Sequence, residues 1–224
     1  MELTPEEQAL AARIGFDEDV LRLVKQGTGE AELCHYRSYE RGRLTKRSEP
    51  PWEGFSVSLP VDVEPLVLNL RPALLSRGYL PFVSERHRPS LGRPEPGCLV
   101  VLKTRDQFDI VRAGYTEGNN DCVENNTIVI QSQDWDRRYG LTIIGANGDW
   151  VEMQFKVTPA DVAEVGREAI ALCPDLQAAY WDLAEEQTHK YYPFRDGDED
   201  IENQLKYALG RDIARYSRLF LWWD

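Results

Sequence analysis

The most regular alternation of apolar and polar residues in this chain lies between Leu141 and Val157. Along its second half the alternate apolar positions are Val151, Met153, Phe155 and Val157. A side-chain period of two residues is typical of a β-strand with one buried face. Asn147-Gly148 fits a type I′ turn, because these two residues best tolerate the positive φ that both turn positions need. The pattern predicts a β-hairpin over residues 141–157.

Shorter apolar segments predict further strands. They are residues 55–59, 79–84 and 98–103, a strand within 26–51 that leads into an exposed loop, and the C-terminal residues 218–224. β-branched and aromatic residues are frequent in them, as is usual for strands. Residues 87–97 and 193–200 are rich in Gly, Pro or acidic residues and are predicted to be loops.

Apolar residues at helical spacing predict helices between these strands. The predicted helices cover 5–16, 17–25, 63–77, 108–111, 125–139, 158–172, 176–190 and 201–213. Thr4 and Thr158 are each followed by proline, so both are expected to be N-caps. Pro72 is expected to kink its helix or to split it in two. The β-branched residues 127–130 favour a strand, which is the alternative to the helix over 125–139.

Together these elements predict an α+β fold with a mixed or antiparallel sheet. The hairpin at 141–157 belongs to that sheet, and the helices pack on it. We expect residues 1–50 to be an N-terminal extension of helices and loop, and residues 51–224 to be one α+β domain. A chain of 224 residues with 42% hydrophobic residues is long enough for a large core.

The formal charge of −12 narrows the range of partners. It disfavours direct binding to nucleic acid, where affinity depends on Lys and Arg that neutralise phosphates. It suits a basic protein partner, although an acidic surface also simply keeps a protein in solution. The chain has neither an apolar stretch of membrane-span length nor a signal peptide at its start, so we expect a cytoplasmic protein without membrane contact.

The residue types that carry chemistry are scattered. The four cysteines form no C-x-x-C pair and the three histidines are isolated, so we predict no metal and no cofactor. The best nucleophile candidate is Cys173 beside Asp175, but it follows a predicted helix, whose C-terminal dipole raises a thiol pKa. We therefore assign no catalytic residue.

An acidic loop is the strongest candidate for contact with a basic partner. Its residues are Asp196, Asp198, Glu199, Asp200 and Glu202. The register of a calcium-binding EF-hand is absent from it. A basic cluster between Arg37 and Arg47 lacks the glycine-rich turn of a phosphate site, and we interpret it as a solvated loop.

Several short motifs in this order resemble a bacterial family known only as domain-of-unknown-function family 4253. They are Lys103-Thr104 with Asp106, Phe108, Asp109 and Ile110; Gly118-Asn119 with Asp121; Trp135-Asp136 with Tyr139-Gly140; Ile144-Gly145-Ala146 with Asp149-Trp150-Val151-Glu152; Cys173-Pro174-Asp175; and Leu221-Trp222-Trp223-Asp224. The chain departs from the family pattern at Asn120 and at residues 176–179. The resemblance implies a fold and a bacterial origin, and it implies no activity.

Two functional hypotheses follow. The first is a non-enzymatic, acidic protein that binds another protein, such as an immunity protein that neutralises a bacterial toxin. The second is a hydrolase or small-molecule-binding protein with a pocket lined by Asp, Cys and Trp. The candidate pocket residues are Asp121, Trp135, Asp149, Trp150, Cys173, Asp175, Trp222 and Trp223.

Overall fold

The computed structural model describes residues 2–29, 31–38, 52–86, 96–118, 120–176, 209–211 and 213–223. The strands are β1 Cys34–Arg37, β2 Glu53–Leu59, β3 Leu80–Glu85, β4 Gly97–Leu102, β5 Leu141–Asn147, β6 Trp150–Phe155 and β7 Arg218–Trp222. The helices are α1 Pro5–Ile14, α2 Glu18–Thr28, α3 Glu64–Ser76, α4 Asp109–Gly114, α5 Asn125–Tyr139 and α6 Val162–Leu172. Within the described ranges, no helix is long and apolar enough to cross a bilayer.

The predicted α+β class is confirmed. The strands form a mixed sheet in the order β1-β2-β4-β3-β5-β6-β7. The chain groups into two compact units. The first unit contains Met1–Tyr115 and Ile143–Gly148, and the second contains Thr116–Thr142 and Asp149–Asp224.

In the first unit β4 is the central strand. It pairs antiparallel with β2 on one side and with β3 on the other, so that Phe55 lies opposite Val101 and Phe82 lies opposite Val100. Every residue of β4 except Cys98 is buried, because strands cover both its edges. Antiparallel β1 extends this part of the sheet beyond β2.

The N-terminal helix begins as its sequence predicts. The Thr4 hydroxyl accepts a hydrogen bond from the Glu7 amide at 3.2 Å, and the Glu7 carboxylate accepts one from the Thr4 amide at 2.8 Å. This reciprocal capping box satisfies two amides that a helix start leaves without partners. The following helix continues to Thr28, one turn beyond the predicted end.

The predicted split at Pro72 is wrong, because α3 is a single helix with Pro72 inside it. Pro72 lies on the exposed side, while Arg71 beside it is buried. The Arg71 guanidinium donates a hydrogen bond to the Ile143 carbonyl at 2.6 Å. Strands β3 and β5 are parallel, with Val83 opposite Gly145. Arg71 thus provides a side-chain donor from α3 for a main-chain carbonyl of β5.

In the second unit, residues 127–130 lie in helix α5, so the strand alternative is wrong. Ile128, Ser132 and Trp135 are buried at helical spacing, and this shared face outweighs the β propensity of the segment. The sequence favours Asn125 or Asn126 as the N-cap of this helix, but neither occupies that position. Glu124 occupies the cap position, and the Asn125 side chain donates to the Thr116 carbonyl at 3.1 Å.

The hairpin strands are confirmed, but their turn is not of type I′. Neither Asn147 nor Gly148 has a positive φ, and the turn residues are Gly148 and Asp149. The Asn147 side chain accepts a hydrogen bond from the Gly148 amide at 2.8 Å, so it supports this shifted turn. The expected polar face of β6 is also largely buried, with Trp150 4% and Glu152 6% exposed.

Helix α6 begins later than predicted. Its N-cap is Asp161, whose carboxylate accepts a hydrogen bond from the Glu164 amide at 2.9 Å. The predicted cap, Thr158, instead exchanges a hydrogen bond of 2.8 Å with the Ser217 hydroxyl. The helix ends at Leu172, as predicted, and Cys173 is its C-cap.

The C-terminal strand is confirmed as β7, and residues 209–211 and 213–216 before it are helical. Most of the predicted helices over 176–190 and 201–213, and nearly all of the loop over 87–97, lie outside the described residues. The predicted boundary at residue 50 also falls on residues that are not described, and it stays a prediction.

Candidate functional site

Residues that carry the family resemblance meet around one tryptophan in the second unit. We call this group the Trp223 cluster, and it consists of Gly118, Asp149, Leu172, Cys173, Trp222 and Trp223. The members come from the loop before α5, the start of β6, the end of α6 and the end of β7. Segments that are far apart in sequence therefore converge on one place.

Trp223 is held at both ends and is only 1% exposed. Its main-chain amide donates to the Asp149 carbonyl at 2.8 Å, and its indole Nε1 donates to the Leu172 carbonyl at 3.3 Å. Gly118 lies against the ring, where an added Cβ would be 2.4 Å from Trp223 Cδ1. There is thus no space for a side chain at residue 118, and Trp223 is a core residue.

The Cys173 thiol is buried and donates a hydrogen bond to the Trp222 carbonyl at 2.9 Å. Burial raises the pKa of this thiol to about 12, and the charges of Asp175 and Asp121 act in the same direction. Only the thiolate is a strong nucleophile, so a neutral, buried thiol is a poor one. Cys173 is placed to stabilise structure.

Trp135 belongs to an ionic network between α5 and α6. It is fully buried, and its indole Nε1 donates to a Glu168 carboxylate oxygen at 2.7 Å. Arg138 pairs with the same Glu168 oxygen, and its Nε lies 2.9 Å from an Asp134 carboxylate oxygen. The indole N–H of Trp135 therefore has its hydrogen-bond partner within the protein, and the ion pairs of Arg138 hold that partner in place.

Trp150 and Trp222 lie opposite each other on β6 and β7. Trp150 is buried and stacks on Phe220, with ring centroids 5.8 Å apart and planes at 23°. Trp222 is half-buried. Phe220 is 41% exposed, so this aromatic pair reaches the surface of the second unit.

The carboxylates of the predicted pocket are at the surface of the second unit. Asp121 and Asp149 are exposed, and Asp175 is half-buried. Among the residues that the structure describes, neither Asp121 nor Asp149 forms a salt bridge. Asp121 is joined to the Trp223 cluster through its amide, which donates to the Gly118 carbonyl at 3.1 Å. The structure thus brings most of the predicted pocket residues together, namely Asp121, Asp149, Trp150, Cys173, Asp175, Trp222 and Trp223. Trp135 belongs instead to the network between α5 and α6.

The predicted partner-binding residues Asp196, Asp198, Glu199, Asp200 and Glu202 lie outside the described residues. So do His87, His189 and most of the basic cluster that begins at Arg37. In the described part of the chain, no group of three or more His, Cys, Asp and Glu residues is placed to hold a metal ion.

The net charge is divided unevenly between the two units. The sequence of the first unit has 17 Asp and Glu against 16 Lys and Arg, which is a net charge of −1. The sequence of the second unit has 21 against 10, which is a net charge of −11. Nearly all the negative charge is therefore in the unit that contains the Trp223 cluster.

A buried ion pair in the first unit was not predicted from the sequence. Lys25 Nζ lies 2.6 Å from a Glu7 carboxylate oxygen, with the side chains 8% and 5% exposed. Beside this pair is a cavity of ≈ 810 Å³ lined by residues of α1, α2 and residues 32–35. The sequence did contain a signal for burial of Lys25. This residue lies four positions after Leu21 and therefore on the apolar face of α2.

The Thr104 to Asp109 motif has a structural explanation in the first unit. The Thr104 hydroxyl donates to the Asp109 carboxylate at 2.6 Å and accepts from the Asp106 amide at 3.1 Å. Arg112 then pairs with both carboxylates, at 2.9 Å to Asp106 and 2.7 Å to Asp109. These bonds fix the loop that leads into α4.

Fold and site together define an α+β protein with a mixed sheet and a packed, tryptophan-centred cluster in its acidic second unit. The family described as "Domain of unknown function (DUF4253)" matches residues 98–224, which is more than half of the chain. The chain belongs to this family. Comparison with curated proteins and with solved structures gave no match.

Proposed function

We propose that this protein is a non-enzymatic binding protein whose acidic second unit binds a basic protein. A cytoplasmic immunity protein that neutralises a bacterial toxin is the specific form that we favour. The observation that carries the proposal is the charge of −11 on the second unit beside −1 on the first. A net negative charge of this size speeds encounter with a basic partner and disfavours nucleic acid.

The contacts of individual carboxylates support this proposal. Asp134, Glu164 and Glu168 are paired with Arg138 and hold helices together. Asp121, Glu124 and Asp149 are exposed, and within the described ranges they pair with no Lys or Arg. Exposed carboxylates add little to folding stability, so they are available for a partner. The sequence between Asp196 and Glu202 adds five further carboxylates to the charge of the second unit.

The alternative is a hydrolase or small-molecule-binding protein with a Trp-lined pocket. Its proposed nucleophile is Cys173, whose thiol is buried, is bound to a carbonyl and has a pKa raised to about 12 by burial. Its aromatic lining includes Trp135 and Trp223, which are 0% and 1% exposed. These environments favour the binding-protein proposal.

The test begins with capture of the partner from native lysate at low salt, elution with a salt gradient and mass spectrometry. The purified partner is then titrated against two variants, Asp196→Asn/Asp198→Asn/Glu199→Gln/Asp200→Asn and Asp121→Asn/Asp149→Asn. A control variant of the first unit, Glu2→Gln/Glu32→Gln, changes two exposed carboxylates. We expect at least one second-unit variant to weaken binding about tenfold at low salt, and the control to leave it within about twofold.

Equal loss of affinity in the control would mean that the second unit is not the contact. Full affinity in both second-unit variants at low salt would reject the charge-guided interaction itself.

A further inference from the structure

The main-chain hydrogen bonds of β7 show which of its groups point away from the sheet. The Trp223 amide donates to the Asp149 carbonyl at 2.8 Å, and the Phe155 amide donates to the Ser217 carbonyl at 2.7 Å. Hydrogen-bonded and non-hydrogen-bonded pairs alternate along an antiparallel ladder. The pairs Glu152–Phe220 and Trp150–Trp222 therefore do not bond to each other. Phe220 and Trp222 direct their amides and carbonyls to the outer edge of β7.

One of these outward groups is already used within the second unit. The Cys173 thiol donates to the Trp222 carbonyl at 2.9 Å. In the part of the chain that the structure describes, both main-chain groups of Phe220 point away from β6 and have no other main-chain partner. β7 is also the last strand in the sheet order. An edge of this kind is a template for another strand.

The side chains at this edge are suited to an apolar contact. Phe220 is 41% exposed and is supported from below by Trp150, 5.8 Å away between ring centroids. In a strand added beside β7, a side chain opposite Phe220 would pack on this aromatic pair.

We propose that the outer edge of β7 binds an extended, basic segment of a partner protein as an additional strand. The segment pairs its main chain with the amide and carbonyl of Phe220, because Cys173 already occupies the edge at Trp222. It alternates apolar residues with Lys or Arg. A second copy of this chain is the less suitable occupant, because two second units of charge −11 repel each other. The inference rests on the proposed function for the sign of the partner's charge, and it adds the mode of docking.

The probe is a capped six-residue peptide that alternates Lys and Val, labelled for fluorescence anisotropy at low salt. Two comparison peptides replace Lys by Glu, or carry N-methyl groups on every internal amide of the Lys–Val sequence. The methylated peptide keeps the charge and loses the main-chain donors. We expect the Lys–Val peptide to bind, the methylated peptide to bind about tenfold more weakly or worse, and the Glu–Val peptide to show no binding.

Two variants of the protein provide the matched pair. Phe220→Pro removes the outward amide without removing a bond to β6, since edge positions with outward amides accept proline. Phe220→Val loses the ring but keeps the amide. Binding should fall about tenfold further in Phe220→Pro than in Phe220→Val. Circular dichroism checks that both are folded, and the methylated peptide tests the wild-type protein even if one is not.

Each contrary result has a distinct meaning. Equal binding of the methylated and unmethylated peptides would overturn strand addition and leave the acidic binding surface intact. Equal binding of the Glu–Val and Lys–Val peptides would retain strand addition and contradict the proposed function. Absence of binding by the Lys–Val peptide, or a dimer of the protein that Phe220→Pro abolishes in sedimentation, would overturn the proposed docking mode.

Discussion

The two units of this chain use charged side chains in different ways. In the first unit, acidic and basic residues are nearly equal in number, and important pairs are internal, such as Glu7 with Lys25 and Asp109 with Arg112. In the second unit, acidic residues outnumber basic ones by 21 to 10. Asp121 and Asp149 there are exposed.

The paired charges of the first unit maintain its fold, whereas the exposed carboxylates of the second unit are available to a partner. A buried carboxylate needs its cation, because desolvation without a partner is costly. An exposed carboxylate has little effect on folding, and its surplus negative potential extends into solvent. The second unit is held by packing around Trp223 together with the Arg138 network, and its surplus of carboxylates is additional to these contacts. The predictions below test this division.

The largest effect is expected for Trp223→Ala. The change removes a ring that is 1% exposed, together with its indole hydrogen bond to the Leu172 carbonyl. We therefore expect a loss of about 3–5 kcal/mol in unfolding free energy. Urea unfolding followed by circular dichroism measures it. The neighbouring, half-buried Trp222→Ala is the control and should cost less. A loss below about 1 kcal/mol in Trp223→Ala would contradict the core role and reopen the pocket hypothesis.

A loss of about 3 kcal/mol is expected when Glu7→Gln breaks the buried pair with Lys25 in the first unit. The exposed pair of Arg22 with Asp19 provides the control, since Asp19→Asn should cost less than about 0.5 kcal/mol. If the two substitutions were equally costly, the distinction between internal and surface charge in the first unit would fail.

The same pair predicts a pH dependence. Burial alone would raise the Glu7 pKa, but hydrogen bonds from Lys25 and the Thr4 amide, with the Lys25 charge, lower it below 4.5. A carboxylate with a lowered folded-state pKa stabilises the fold above its unfolded pKa, and this contribution is lost as pH falls through the lowered value. The stability difference between wild type and Glu7→Gln should therefore shrink below pH 4.5. A difference that stays constant down to acid unfolding would contradict this linkage.

The sequence predicts most elements of both units, because periodicity and capping residues are local signals. The capping box at Thr4 and the alternation of β6 are examples. Errors arose where a distant contact decided the outcome. Ser217 engages Thr158, so Asp161 caps α6, and the packing of Trp135 against α6 keeps β-branched residues in a helix.

The candidate site was predicted less completely than the fold. The sequence identifies Cys173 and Trp223 as candidates. The role of Cys173 depends on the Trp222 carbonyl and the role of Trp223 depends on Gly118, and each of these partners is distant in sequence from the residue it contacts. The side-chain environment that raises the Cys173 pKa is likewise formed only by folding. No local pattern reveals that these motif residues pack together.

An intermediate effect is expected for Gly118→Ala. The new methyl group would lie 2.4 Å from Trp223 Cδ1, so we expect a loss of about 1–3 kcal/mol. In a Trp223→Leu background the ring is absent, and the cost of the same change should fall by at least half. A double-mutant cycle measured by urea unfolding determines the coupling. Equal costs in both backgrounds would show that the constraint on Gly118 does not come from Trp223.

A smaller effect, about 1–2 kcal/mol, is expected for Cys173→Ala, because it leaves the Trp222 carbonyl without its thiol donor. Labelling with iodoacetamide at pH 8 tests the thiol itself. Cys34 and Cys122 are exposed and should react in the folded protein, whereas Cys173 should react only after unfolding. Rapid labelling of native Cys173 would contradict its structural role and favour the enzymatic alternative.

The smallest effect on stability is expected from neutralising the exposed carboxylates themselves. Asp121→Asn/Asp149→Asn should change the unfolding free energy by less than about 0.5 kcal/mol. The sign of this change is informative, since removal of two negative charges from a unit of charge −11 reduces repulsion and should be neutral or slightly stabilising.

Added sodium chloride screens the same repulsion, so wild type should gain more stability from salt than Asp121→Asn/Asp149→Asn. In the charge-balanced first unit, Glu2→Gln/Glu32→Gln should leave the salt response unchanged. A clear destabilisation by Asp121→Asn/Asp149→Asn would mean that these carboxylates hold the second unit together, and the contrast between the two units would then disappear.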